Sequence, residues 1–198
     1  MSVLALQSCT DNLIYTGADI EVVLTGNTYK AAFTESSPVS TFNSGNQILL
    51  NASGSLQIDN RILTYMDNQW KAENEFSWSD ITGKTNITAL YPVYPDLDYI
   101  QENLYKNNSL EDILYVKDEF PAGNSIHLQF KHLFSLLTLY LDRDLQTNLQ
   151  KIEITCPAVS SIIPKSAEIV PADNETHTTT IAQVSPSGNY SFIVPPVK

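Results

Sequence analysis

The chain has 198 residues, of which 22 are Asp or Glu and 11 are Lys or Arg, so its net charge at pH 7 is −11. This length suits one large domain or two small ones, and the excess of negative charge excludes a nucleic-acid backbone as a partner, because like charges repel. The 7 scattered glycines do not form a phosphate-binding loop.

The first nine residues are typical of the end of a bacterial lipoprotein signal. Leu6, Gln7, Ser8 and Cys9 match the pattern of an aliphatic residue, any residue, a small residue and the cysteine that is acylated after cleavage. Each buried CH₂ of an acyl chain contributes about 0.8 kcal/mol, and more than one chain is attached, so the anchor would be stable. The pattern predicts a signal remnant at 1–8 and a lipid anchor at Cys9. The alternative is an ordinary apolar N-terminus with a chance Ser-Cys pair, because a four-residue motif is weakly selective.

The two cysteines, Cys9 and Cys156, allow two exclusive interpretations. They can form one disulfide only if Cys9 is not acylated. If Cys9 carries the lipid, we expect Cys156 to be a small buried side chain with a free thiol, on a strand at Lys151–Cys156. We favour the second interpretation.

The remaining chain alternates apolar and polar residues with a period of two. The polar segment 9–18 predicts a flexible tether, and Ile20, Val22 and Leu24 then predict a strand at Asp19–Leu24, at the start of a single domain over 19–198. Further strands are predicted at Arg61–Met66, Asn86–Tyr91, Ile113–Lys117, Ser125–His132, Leu137–Leu141, Lys151–Cys156, Thr178–Val184 and Tyr190–Val194.

Tight turns and prolines separate these strands. The pairs Asp59-Asn60 and Asp67-Asn68 predict two turns, and prolines such as Pro157 and Pro171 are expected at strand ends, edges or loops. The spacing predicts an all-β sandwich. At most one or two short helices are expected, with one at Asp98–Tyr105.

The most apolar stretch of the chain, Leu128–Leu141, changes phase in its middle. Leu128 and Phe130 share one face, whereas Leu137 and Leu139 follow with one extra residue between the two sets. This predicts a bulge, or a crossing from one sheet to another, near Phe134-Ser135. The alternative is a helix, because apolar residues from 133 to 141 also satisfy helical spacing.

The sequence contains no strong catalytic motif, so we expect no enzyme activity, no cofactor and no metal. His132 is in phase with Leu128 and Phe130, so it is expected to end a buried strand face with its ring hydrogen-bonded. No partner is evident for His127 or His177.

Carboxylate pairs and aromatic residues leave two weaker alternatives open. The carboxylates of Asp96 and Asp98, and those of Asp142 and Asp144, are interpreted as solvated turn residues, because the ligand series of a calcium loop is missing. Trp70, Trp78 and the tyrosines could form a platform for stacking sugars, although such rings more often fill a core.

The order of several motifs resembles the fimbrillin family, the lipoprotein-derived subunits of type V pili. The resemblance covers roughly residues 26–145 and a similar tail at 190–195. Its most specific part is an Asp-Ile-Leu-Tyr segment that precedes a Phe-Lys-His strand. The matching segments are Phe42–Ile48, Tyr65–Trp70, Trp78, Ala89–Pro95, Asp112–Tyr115, Leu128–His132 continuing to Leu141, and Tyr190–Pro195.

The resemblance implies a transthyretin-like Greek-key β-sandwich, exported as a lipoprotein to the outer membrane and cell surface, in a fimbrium. Subunits of this family assemble with other pilin-like subunits by exchanging a β-strand. Many members are cut by a protease after an Arg in the first strand. The aligned position here is Lys30, so the resemblance marks Lys30 as a possible processing site, and an uncut subunit would be more like an anchor or adhesin. The chain resembles the N-terminal domain of the family.

We therefore expect a non-enzymatic structural or adhesion lipoprotein at the cell surface. Its partners would be pilin-like subunits or surface ligands, and it would meet the membrane only through the lipid. The alternative is a surface lipoprotein whose sandwich binds glycans.

Overall fold

The computed structural model describes residues 12–15, 20–25, 42–72, 81–96, 100, 104–106, 109–122, 126–141, 151–181 and 189–196, with side chains except at 12–15, 20–25, 126–127, 181 and 189. Every regular element in these ranges is a strand, which confirms the prediction of an all-β protein. The strands are β1 (Asn12–Tyr15), β2 (Ile20–Thr25), β3 (Gln47–Gly54), β4 (Ile58–Met66), β5 (Gln69–Ala72), β6 (Thr85–Tyr91), β7 (Tyr105–Lys106), β8 (Ser109–Leu110), β9 (Leu114–Phe120), β10 (Ile126–His132), β11 (Ser135–Tyr140), β12 (Ile152–Ile163), β13 (Glu168–Ile181) and β14 (Asn189–Val194).

Eight strands form the main sheet, in the order β1-β2-β10-β9-β6-β3-β4-β5. β10 is parallel to β2, with Ile126 opposite Ile20 and Phe130 opposite Leu24, and the other pairs are antiparallel. Three two-stranded sheets, β11-β14, β12-β13 and β7-β8, complete the described structure.

Apolar clusters cover both faces of the main sheet. Neighbouring residues of a strand point to opposite faces, and in β3 Ile48 and Leu50 join one cluster while Leu49 joins the other. The second cluster includes Val159 of β12 and Ile193 of β14, so strands of two smaller sheets pack on the main sheet. The predicted sandwich is confirmed, because its second layer buries a face that a single sheet would leave wet.

The phase change near Phe134 is a crossing between sheets. β10 ends at His132 in the main sheet, and β11 begins at Ser135 paired with β14. Leu133 and Phe134 lie between the two strands and are buried in the second cluster. The predicted crossing is confirmed, and the helical alternative is wrong because Ser135–Tyr140 is a strand.

Asp59-Asn60 is a bulge and not a turn, so that prediction is wrong. β4 runs through both residues, and these two residues face the single residue Asn51 of β3, since Leu50 pairs with Arg61 and Ala52 with Ile58. Asn60 has a φ of 49°, a left-handed conformation that asparagine tolerates better than most residues. The turn at Asp67-Asn68 is confirmed, with φ values of 52° and 61° that suit a type I′ hairpin.

The β12-β13 ribbon is longer than the sequence predicts. The strand predicted to end at Cys156 continues to Ile163, and the strand predicted from Thr178 begins at Glu168. Pro157 and Pro171 lie inside these strands, where register shifts flank Val159, the partner of Pro171. Proline has no backbone N–H to donate to a partner strand. A two-stranded ribbon tolerates it because one edge of each strand faces away from the other strand of the ribbon.

The predicted helix at Asp98–Tyr105 is not found at its described positions. Ile100 forms a two-way backbone bridge to Ile162, with both N···O distances 2.8 Å, and Tyr105 begins β7. Leu104, which precedes β7, is described and is not helical, and the other positions of that prediction lie outside the described residues. β1 lies inside the segment predicted as a tether, so at those four positions the chain pairs with β2.

Candidate functional site

A polar groove of about 760 Å³ crosses one face of the main sheet. Its floor is built from two rows of directly opposed residues on β3, β6 and β9, and opposed residues share a face. The rows are Asn51–Thr88–Lys117 and Ser53–Asn86–Glu119. The next row on the same face, Leu49–Leu90–Tyr115, belongs to the second apolar cluster. The groove therefore begins where this face changes from apolar to polar.

The turn between β12 and β13 forms one wall of the groove. Lys165 in this turn pairs with Asp59 of the β4 bulge at 2.7 Å. Lys117 Nζ donates a hydrogen bond of 3.3 Å to the carbonyl oxygen of Ser166. These contacts connect the ribbon to the sheet and fix the width of the groove at this side.

Asn51 links the groove floor to the bulge. Its Oδ1 accepts a hydrogen bond of 2.8 Å from the backbone N–H of Asn60, a donor that the extra residue of a bulge leaves outside the ladder. Asn51 is only 9% exposed, so this contact holds the side chain in one place. The amide nitrogen of Asn51 supplies two donors beyond this bond.

The carboxylates and lysines of the groove are paired unevenly. Glu119 Oε1 lies 2.7 Å from Lys84 Nζ, and Asp59 is paired with Lys165. Asp118 belongs to the opposite face of β9 by strand alternation, and its Oδ1 accepts the N–H of Glu119. Lys117 contacts a neutral carbonyl and has no ion pair with a described residue. The floor of the groove thus carries a cation that is not ion-paired with a carboxylate in the described part of the chain.

A second polar group lies where β10 leaves the main sheet. His132 Nδ1 and Asp112 Oδ1 are 2.9 Å apart, with the Asp112 side chain 6% exposed and that of His132 23% exposed. Next to them, Leu133 N donates to Ile113 O at 2.7 Å. The prediction that the ring of His132 is hydrogen-bonded is confirmed. The pair fastens the end of β10 to the segment before β9, where the chain changes sheets.

Replacing His132 with alanine is expected to lower the free energy of unfolding by about 1–3 kcal/mol, because the nearly buried Asp112 carboxylate loses a hydrogen-bond partner. Urea denaturation measures the loss. The matched control is Lys131→Ala, since Lys131 precedes His132 and is exposed; its change should stay within about 0.5 kcal/mol. Equal effects of the two substitutions would contradict a stabilising role for the pair.

Glu111 uses both of its carboxylate oxygens beside this pair. Tyr94 Oη donates to Glu111 Oε2 at 2.9 Å, and Lys106 Nζ contacts Glu111 Oε1. Burial first, and then the negative charge and hydrogen bond of Glu111, raise the pKa of Tyr94 well above its ordinary value. With both carboxylate oxygens of Glu111 engaged, this group stabilises the fold.

Replacing Tyr94 with phenylalanine is expected to cost about 1–2 kcal/mol at pH 7, because the hydrogen bond to Glu111 is lost. The difference in free energy of unfolding between the parent and the variant should become smaller above about pH 10. At such pH the tyrosine ionises in the unfolded parent but keeps its proton in the folded parent, so the parent loses stability as pH rises. Tyr91 and Tyr105, whose pKa values burial also raises, are present in both proteins and cancel. Unfolding curves at pH 7, 10 and 11 test this; a constant gap would contradict the raised pKa of Tyr94.

The other predicted residues are dispersed. Cys156 is half-buried on β12, pairs with no described cysteine, and its thiol lies 3.8 Å from the carbonyl oxygen of His177. Burial raises the pKa of the Cys156 thiol, as expected for an unreactive thiol. The ring of His177 packs on Tyr105 at 4.0 Å, and Tyr105 Oη accepts the N–H of Val159 at 2.9 Å. Both contacts of Tyr105 hold the ribbon against β7.

Trp70 is part of the core and not an open stacking platform. Its ring packs edge-on against Phe42 at 5.1 Å and is tilted against Tyr65 at 5.2 Å. Its Nε1 is buried and has no partner among the described residues. The sugar platform considered from the sequence is therefore not formed at Trp70.

Several predicted positions lie outside the described residues: Cys9, Lys30, Trp78, Asp98, Asp142, Asp144 and the side chain of His127. Asp96 is described and exposed. The described residues hold no group of three or more His, Cys, Asp or Glu side chains arranged to bind a metal ion. Within the same ranges, no helix has the length and hydrophobicity needed to span a bilayer.

Sequence reasoning missed the groove. The period-two pattern marks Asn86, Thr88 and Lys117 as polar-face residues, but it does not give the register that places them in rows. The sequence signal that was available is the same in β3, β6 and β9. On one face of each strand, the residues at one end are polar and those at the other end are apolar.

Comparison with known proteins gives a likeness in fold. No model of a protein family matches the chain, and no curated protein does. A crystal structure from Bacteroides uniformis, of a protein described provisionally as a cell adhesion protein, matches with a TM-score of 0.53 and 11% sequence identity. The match covers 90% of this chain and 75% of that chain. The chain therefore shares its β-sandwich architecture with that protein across nearly all of its length.

Proposed function

We propose that this protein is a non-enzymatic lipoprotein of the bacterial cell surface that acts in adhesion, as a pilus-type subunit or anchor assembled by β-strand exchange. The observation that carries the proposal is the shared fold with the Bacteroides uniformis protein described provisionally as a cell adhesion protein, over 90% of this chain. A fold alone does not determine function, so sequence features must supply the rest.

Two sequence features support the surface role. Leu6, Gln7, Ser8 and Cys9 match a lipoprotein signal, which would bring the domain to a membrane and hold it there. The order of motifs from Phe42 to Leu141 resembles fimbrillins, whose subunits work at the cell surface. No catalytic motif in the sequence competes with this interpretation.

Strand exchange needs backbone groups at a sheet edge that can pair with an added strand. Among the described strands, the main sheet ends at β1 on one side and β5 on the other. Each end strand has four residues, and these residues would pair with a donor strand. Lys30 is the position at which proteolytic processing would act before assembly.

Gel analysis of protein from the producing organism tests assembly. Unheated samples should show a ladder of polymers that collapses to one band on boiling, and pull-down should recover pilin-like subunits. Cys9→Ser is the control that separates anchoring from assembly: it should release the protein from membranes and leave purified subunits able to pair. A single monomer band in unheated samples, with no subunit recovered, would contradict assembly.

A further inference from the structure

The polar groove has the size of a ligand site. Its volume of about 760 Å³ lies within the range of about 300–1,000 Å³ found for small-molecule sites. Ser53 and Asn86 are exposed, Thr88 is half-buried and Asn51 is nearly buried. The floor therefore runs from solvent to a fixed inner end.

The floor offers donors and acceptors in a regular arrangement. Adjacent strands are about 4.8 Å apart, and residues two apart in a strand are separated by about 6.7 Å, so the rows form a grid of polar groups. Serine and threonine hydroxyls both donate and accept, and the asparagine amide does the same. A ligand rich in hydroxyl groups matches this grid, because each sugar hydroxyl also both donates and accepts.

Charge determines which hydroxyl-rich ligand fits best. Asp59 and Glu119 are each paired with a lysine at 2.7 Å, whereas Lys117, among the described residues, forms its hydrogen bond with the carbonyl oxygen of Ser166 and has no ion pair. A lysine has three donors, so two remain for a ligand. The described residues that line the groove include no aromatic side chain that could stack on a sugar ring. A charge-assisted hydrogen bond, which is about twice as strong as a neutral one, would then be the strongest single contact.

We propose that this groove binds an acidic saccharide, with the sugar carboxylate on Lys117 and its hydroxyls on Thr88, Asn86, Ser53 and Asn51. The proposal goes beyond the adhesion role and does not depend on lipid anchoring or subunit assembly, since the groove lies within one chain. It also differs from the tryptophan platform considered from the sequence, because the groove lies on the face opposite the cluster that holds Trp70.

Calorimetric titration of the purified full chain tests the proposal with two acidic probes, trigalacturonate and 3′-sialyllactose, and their neutral methyl esters. The parent protein should bind at least one acid about tenfold more tightly than its ester. Lys117→Gln should abolish that difference, because it keeps a flexible polar side chain that can donate hydrogen bonds and removes the charge. Thr88→Val should weaken acid and ester alike.

Lys151→Gln is the matched control, since Lys151 is an exposed lysine paired with Glu153 on the ribbon, outside the groove lining. It should leave both affinities unchanged. Lys117 is exposed, so its replacement should not unfold the protein, and circular dichroism verifies this. No binding of either acid at about 10 mM, where a useful lectin site would already be filled, would overturn the proposal. Equal binding of acid and ester, or full affinity in Lys117→Gln, would overturn it as well.

Discussion

Replacing Phe130 with alanine is expected to lower the free energy of unfolding by about 3–5 kcal/mol, the range for a large aromatic side chain removed from a core. Phe130 is 1% exposed and lies on β10, the strand that joins β2 to the rest of the main sheet. Its ring packs edge-on against Phe42 at 5.7 Å, so the substitution also removes an aromatic contact. Neighbouring strands restrict how far the cavity can collapse.

Guanidinium denaturation gives this loss as a shift of the midpoint at an unchanged slope. Tyr140→Ala is the control, because Tyr140 is an aromatic residue on β11 that is 54% exposed, and its change should be much smaller. A loss below about 1 kcal/mol for Phe130→Ala would contradict a well-packed core on this face.

Replacing Gly54 with alanine is expected to lower the free energy of unfolding by about 2–4 kcal/mol. This is more than we expect for alanine at Gly45 or Gly83. Gly54 has a φ of +128° at the end of β3, a conformation that side chains rarely adopt. A Cβ there would lie 2.4 Å from the carbonyl oxygen of Lys84, so backbone must move. The adjacent contact of Ser55 with Thr85, Oγ to Oγ1 at 2.8 Å, would be displaced with it, and strained backbone costs about 1–3 kcal/mol before the clash is added.

Two other glycines separate the causes of this loss. Gly45 has a φ of +91° with open space around the added Cβ, so Gly45→Ala should cost only the backbone strain. At Gly83 the added Cβ would meet Ser55 at an ordinary 3.7 Å, so Gly83→Ala should cost the least. Thermal unfolding of the three variants should rank them with Gly54→Ala least stable. A Gly54→Ala variant as stable as Gly45→Ala would contradict the close approach of the β3 end to Lys84.

Strands with one wet face were predictable from the sequence, whereas strands buried on both faces were not. The alternation in Asn86–Tyr91 located β6 to within one residue. β3 was missed because Ile48, Leu49 and Leu50 are all buried, so three consecutive apolar residues break the period of two. A strand covered on both faces has no polar face to reveal it.

Local backbone exceptions account for the other differences. Asp59-Asn60 has the composition of a turn, but Asn51 satisfies the N–H of Asn60 and the strand continues as a bulge. Pro157 reads as the end of a strand, yet it is tolerated in a two-stranded ribbon. Turn-forming residues show that the ladder is interrupted, and only the partner strand determines whether the chain reverses or bulges.

The candidate site was less predictable than the fold, because it depends on register. Asp112 and His132 were both singled out within motifs, but their contact at 2.9 Å joins the end of β10 to the segment before β9, twenty residues earlier in the chain. Likewise, the carboxylates near Lys117 are paired with other lysines, Glu119 with Lys84 and Asp59 with Lys165. The sequence does not show which lysine each carboxylate takes. Such pairings follow from tertiary structure, which periodicity does not encode.

Mass spectrometry of the N-terminal peptide, from protein isolated from the membranes of the producing organism, is the most direct test of the surface lipoprotein. The account predicts a peptide that begins at Cys9 and carries acyl chains on its thiol. A peptide that retains residues 1–8 and has an unmodified Cys9 would contradict lipid anchoring and with it the proposed place of the protein at the cell surface.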